Sequence, residues 1–170
     1  NLIEVYRKDG FGRGGVVIDV VGAFVPAESA TSGRLVVPDT AQRILDTRDD
    51  SGSPLGPDST VRVPLPTGVP ADAVALAVNL TAVDTRSNGF FTLFPAGSAR
   101  PEASVLNADR QGQIRAAATI VPVTPDGFDL YTKGGAHVIV DMTGWFTGES
   151  AEASDDGLFV PAVPDRLRDT

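Results

Sequence analysis

The chain contains no cysteine, so neither a disulfide framework nor a thiolate zinc site can form. This absence does not by itself fix a compartment. Histidine occurs once, at His137, which leaves zinc without its usual ligands. Basic residues are the minority: 14 Lys and Arg face 22 Asp and Glu, for a net charge of −8. That balance disfavours nucleic acid and anionic membrane surfaces as partners. No apolar run approaches the ~20 residues of a membrane-spanning helix. Signal-peptide and long helical patterns are also missing. Present instead are 18 Gly, 13 Pro and many short Val- and Thr-containing runs, an all-β composition.

The chain repeats itself. Residues 16–24, VVIDVVGAF, match residues 138–146, VIVDMTGWF, at an offset of 122. Residues 34–47, RLVVPDTAQRILDT, match residues 157–170, GLFVPAVPDRLRDT, at an offset of 123. The first pair shares Asp19/Asp141, Gly22/Gly144 and Phe24/Phe146. The second shares Leu35/Leu158, Val37/Val160, Pro38/Pro161, Arg43/Arg166, Asp46/Asp169 and Thr47/Thr170. The expected organisation is the C-terminal hairpin of a preceding repeat with a linker (1–33), a complete unit (34–146), a linker (147–156) and the first strand of a following repeat (157–170). The first residue falls inside a repeat, so the native start is expected outside this sequence. A unit of this size buries its own core, unlike the short repeats of solenoids.

Apolar runs bounded by turn residues predict strands near 3–6, 15–21, 35–38, 43–46, 60–64, 74–83, 89–94, 104–107, 115–122, 127–132 and 136–142. Segment 73–83 puts Val74, Leu76, Val78 and Leu80 on one face and Ala73, Ala75, Ala77, Asn79 and Thr81 on the other. Its alanines make a helix the competing reading. Val, Asn and Thr are poor helix formers and no helical stripe appears, which favours a strand. The Asn88-Gly89 signal predicts that 89–94 pairs antiparallel with 74–83. A second hairpin is expected over 127–142, with Phe128 and Tyr131 on one arm and Val138, Ile139 and Val140 on the other. The fold expected is an antiparallel β-sandwich of about nine or ten strands, with a β-barrel or β-prism as the runner-up.

The elements RILDTR (43–48), VPADAVALAVNLTAV (69–83), GFFTLFPAG (89–97), SVLN (104–107) and VIVDMTGWF (138–146) occur in this order. Together they resemble a secreted tandem repeat of actinobacterial surface and exported proteins. The resemblance implies an extracellular accessory or structural module without an established reaction. Some members look as if they carry a cysteine pair near the positions of Ala96 and Asp129. This chain lacks that pair.

Several residues invite chemistry. Gly10, Gly12 and Gly15 spell a dinucleotide fingerprint, but a strand follows where the motif needs a helix, so a hairpin turn is the better reading. His137 has no nucleophile elbow to serve, and reads as a strand-end imidazole. Asp141 and its copy Asp19 lie within apolar strands, where a buried carboxylate needs a partner. Arg43 and Asp46 are the other recurring charges. Asp141 is therefore expected to accept hydrogen bonds from Arg43, or from backbone amides of RILDTR, pinning the first strand to the last. Paired carboxylates acting as acid and base are the catalytic alternative. Asp46, Asp49, Asp50 and Asp58, with Ser51, form an oxygen-rich stretch able to attract calcium, against which stands a solvated turn. Trp145, with Tyr131, offers flat aromatic surface for a sugar ring; core or interface packing is the bland alternative. Asn79-Leu80-Thr81 matches a glycosylation sequon inside an expected core strand, which argues against its use.

These readings converge on a non-catalytic, cofactor-free extracellular repeat, a building block of a surface stalk or filament with strand-edge contacts between units. The partners expected are neighbouring copies, and cell-wall glycan in the alternative reading of a carbohydrate-binding module.

Overall fold

The computed structural model describes residues 32–49 and 52–154, together with Ala23. The strands expected at 3–6 and 15–21, the glycine motif, Asp19, Asp50 and the copy at 157–170 lie outside the described residues. Nine strands are described: β1 Leu35–Val36, β2 Gln42–Asp46, β3 Ser59–Val63, β4 Ala75–Val83, β5 Gly89–Pro95, β6 Leu106–Ala108, β7 Arg115–Pro122, β8 Phe128–Thr132 and β9 His137–Phe146. They form two antiparallel sheets stacked as a β-sandwich. The first runs β1-β9-β4-β7, with β2 also paired to β9; the second runs β3-β8-β5-β6.

Segment β4 shows why these residues make strands. Leu76, Val78, Leu80 and Ala82 are at most 1% exposed, while Asn79 and Thr81 between them are half-buried. The bulky face meets the core and the small face looks outward. From the same sheet β9 adds Val138, Val140 and Met142; from the opposite sheet come Val63, Phe91, Leu93, Leu106, Phe128 and Leu130. Each such side chain contributes about 1.5–3 kcal/mol by leaving water.

Two expected hairpins are not hairpins. β4 pairs with β7 and β9, whereas β5 pairs with β6 and β8. β8 and β9 likewise sit in opposite sheets. The links after β4 and after β8 therefore cross from one sheet to the other, side by side. A Cβ on Gly89 would lie 2.6 Å from the Gly134 nitrogen, and one on Gly134 would lie 2.8 Å from the Asn88 carbonyl. Those glycines permit backbone to pass backbone, a demand that a sequence scan confuses with a tight turn.

The unit is also longer than its predicted boundary at Phe146. Gly33 N–H donates to the Thr147 carbonyl at 2.8 Å, Thr147 N–H donates to the Arg34 carbonyl at 2.9 Å, and Ser150 N–H donates to the Asp72 carboxylate at 2.8 Å. The start of the expected linker is thus docked on the domain. Entry and exit of the chain lie next to each other.

Candidate functional site

The residues that recur in the sequence meet along one seam. Strands β1 and β2 share a single edge of β9, with Leu35 opposite Phe146, Arg43 opposite Asp141 and Asp46 opposite Ile139. Thr47 closes the seam: its N–H donates to the Val138 carbonyl at 3.0 Å, and its hydroxyl accepts the Val138 N–H at 2.9 Å. Gly144 leaves room for β1, since a Cβ there would lie 2.8 Å from the Val36 carbonyl. Thus Leu35, Arg43, Asp46, Thr47, Asp141, Gly144 and Phe146 all serve one contact. Val37 and Pro38, the other recurring pair, lie in the link from β1 to β2.

A bulge builds the polar part of this seam. The register of β2 shifts between Arg43 and Leu45, leaving Ile44 as an extra residue. In a regular strand Arg43 and Asp46 would face opposite sides. The extra residue brings both to the face of Asp141. Arg43 Nε donates to Asp141 Oδ1 at 2.9 Å and Nη2 to Oδ2 at 3.3 Å, while Nη1 donates to Asp46 Oδ2 at 3.1 Å. Arg48 grips Asp46 from the other side, with Nε at 2.9 Å, Nη2 at 2.7 Å and its backbone N–H at 3.0 Å. The buried carboxylate is Asp46, with 2% of its side chain exposed, and not Asp141, with 26%. The Arg48 guanidinium, then its backbone N–H and the charges of both arginines, hold the Asp46 carboxyl far below the ordinary carboxylate range. The Arg43 guanidinium is pushed up by its hydrogen bond to Asp141.

The other singled-out residues separate. Asp58 binds Lys133 Nζ at 2.8 Å and accepts the Tyr131 hydroxyl at 2.6 Å, which lowers its own pKa and raises that of Tyr131. Asp46 and Asp58 are thus committed to cations in different places. Among the described residues no three acidic or histidine side chains gather as a metal site. His137 Nδ1 stands 3.2 Å from both the hydroxyl and the carbonyl of Thr47, so its partners are not a carboxylate. Asn79 lies in β4, flanked by strands on both sides, and its amide donates to Thr81 Oγ1 at 3.3 Å.

Trp145 and Tyr131 do not share a surface. Tyr131 belongs to the second sheet, where the segment after β5 folds over the outer face. There Arg100 sits 4.2 Å above the Tyr131 ring and Thr92 donates to the Ala103 carbonyl at 3.1 Å. Trp145 belongs to the first sheet. The register of β9 slips at Thr143, so Ala77 lies opposite Gly144 and Val78 opposite Met142. That extra residue turns Trp145 to the core side, beside fully buried Leu76. Half-buried, it packs against the core and lines a cleft with Pro38, Thr40, Gln42, Arg43, Thr67 and Met142.

Sequence reasoning missed Arg48 as the chief partner of Asp46. It also missed the pair Arg62–Asp129, in which Arg62 Nε donates to Asp129 Oδ1 at 2.9 Å and Gly97 N–H to Oδ2 at 3.0 Å. The Arg62 guanidinium, with the Gly97 amide, lowers the Asp129 pKa. The available signal was an aspartate within the apolar run FDLYT.

The fold and seam define a β-sandwich in which a charged clasp locks β2 to the last described strand, β9. No known protein family, curated protein or solved structure matches the chain.

Proposed function

We propose that this chain is a non-catalytic, extracellular structural repeat, a building block strung together with copies of itself at a cell surface. One observation carries the reading: the residues that recur between copies, Val37 and Pro38 apart, are those that join the first two strands of a unit to its last. What is duplicated is the means of closing a sheet: the two recurring carboxylates, Asp46 and Asp141, are both bound by arginine. One half of the seam is written again before the unit, as Asp19, Gly22 and Phe24, and the other half after it, as Leu158, Arg166, Asp169 and Thr170. Strand-edge contacts between copies fall to the described edges that the seam does not use, β7 of the first sheet and β3 and β6 of the second. Val37 adds support. It is 67% exposed yet recurs as Val160, as a contact between neighbouring units requires.

Adjacent chain ends set the form of such an array. Each unit leaves where it entered, so units hang from a line of links rather than stacking end to end. The links from Phe24 to Leu35 and from Phe146 to Leu158 are nearly equal in length, which spaces the units evenly. Two measurements test the proposal. Residues 32–154 produced alone should fold and melt cooperatively within a few degrees of the whole chain; failure to fold overturns the self-sufficient module. The native polypeptide should be found in the extracellular or surface fraction, and its intact mass distinguishes assemblies of separate 17.7 kDa subunits from a longer covalent array. Recovery from the cytosol alone overturns the assignment.

A further inference from the structure

We propose that the cleft beside Trp145 is a binding site for a short neutral saccharide. It measures about 540 Å³, within the roughly 300–1,000 Å³ common for small-ligand sites. Its floor is rigid, because Trp145 packs against the core and Met142 beside it is 2% exposed. An indole held in this way offers a flat apolar face at little entropic cost, which suits the C–H face of a pyranose. The side chains of Trp145, Thr40, Gln42 and Thr67 make no hydrogen bond within the described residues, so donors and acceptors remain for sugar hydroxyls.

Charge selects the ligand class. Arg43 lines the cleft, but Asp141 and Asp46 already neutralise it. Three of the guanidinium's five N–H groups are engaged, leaving two as hydrogen-bond donors without a free net charge. An anionic ligand would compete with two fixed carboxylates for that cation, whereas a hydroxyl needs no displacement. The site belongs to this unit and not to every copy, since the residue matching Trp145 in the preceding copy is Ala23. It is independent of the structural role proposed above.

Trp145 is the only tryptophan, so its emission reports on this cleft alone. The whole chain is titrated with neutral oligosaccharides of N-acetylglucosamine, glucose and xylose, with an oligogalacturonate as the anionic control. The expected result is a saturable emission change with at least one neutral series. Gln42→Ala combined with Thr67→Ala, both on exposed positions that leave the core untouched, should weaken it about fivefold or more. Trp145→Ala, checked for folding by circular dichroism, should lose binding measured by calorimetry. No saturable change with any neutral series overturns the proposal. So does unaltered affinity in the double variant, retained binding in folded Trp145→Ala, or a response to the anionic control alone.

Discussion

Removing the Asp46 carboxylate tests the clasp most directly. Asp46→Ala deletes the shared acceptor of Arg43 and Arg48 and leaves the Arg48 backbone N–H without its partner. Hydrogen bonds to charged groups contribute about 1.5–3 kcal/mol each when enclosed. Here the carboxylate is enclosed but both guanidinium groups are nearly half exposed, so water screens and replaces much of the loss. The net cost expected is about 2 kcal/mol, which for a domain of this size lowers Tm by about 8 °C. Calorimetry or circular dichroism at pH 7 reads this shift, and acid gives a second reading. A carboxylate whose folded pKa lies below its ordinary value of 3.8 stabilises fully above that value. The contribution fades as pH falls from about 5 through the range below 3.8, because the unfolded chain then binds the proton more readily. The gap between wild type and Asp46→Ala should therefore be widest near neutrality and should narrow on acidification. A variant that melts with the wild type at pH 7, or a gap that stays constant down to pH 2.5, refutes the clasp.

Three further outcomes follow from the same geometry. Gly144→Ala should cost about 1–3 kcal/mol by pushing β1 off β9, with faster amide exchange confined to β1 and the end of β9. Leu80→Ala, at a fully buried position of the central strand, should cost about 3 kcal/mol or more and lower the urea midpoint without altering the m-value. Exchanging the charges of Arg43 and Asp141 together should restore part of the Tm lost in either single reversal, while equal losses in single and double variants would mean that the pair does not couple.

Much of the seam was legible in the sequence because its residues recur. Asp141, Arg43 and Asp46 stood out as the charges kept between copies, and the structure brings all three together. The bulges that deliver them were not legible. An extra residue such as Ile44 or Thr143 has no composition of its own, and its effect is to invert the facing of everything beyond it. Asp141 was accordingly expected to be enclosed, when the enclosed member is Asp46. By the same inversion Trp145, which unbroken alternation would leave exposed, turns to the core side, while the crossing between β8 and β9 puts it in the opposite sheet from Tyr131. The cleft was invisible for a different reason: Thr40, Gln42 and Thr67 are ordinary exposed residues in sequence, and only the approach of the β3–β4 link to the β2 edge makes them neighbours.

The strands themselves were readable wherever the pattern was local. Alternation in 73–83 marked β4 and the burial of Leu76, Val78 and Leu80, since period-two burial is a property of a single strand. Val74, expected on that face, precedes the strand and is 42% exposed, and Ala73 and Ala75, expected on the other, are buried. Sheet membership is a property of connections, and there the pattern misled. Asn88-Gly89 and Gly134-Gly135 carry the residues of tight hairpins, yet each link carries the chain across the sandwich. Their glycines answer to each other: Gly89 and Gly134 lie in backbone contact, and Gly135, with φ of 78°, would set a Cβ 2.7 Å from the Leu55 carbonyl. A glycine demanded by a distant segment and one demanded by its own turn are identical in sequence. They differ only in what a methyl group would strike. Pairing choices in a sandwich of this kind therefore become decidable once long-range contacts are known, even where every strand is already in view.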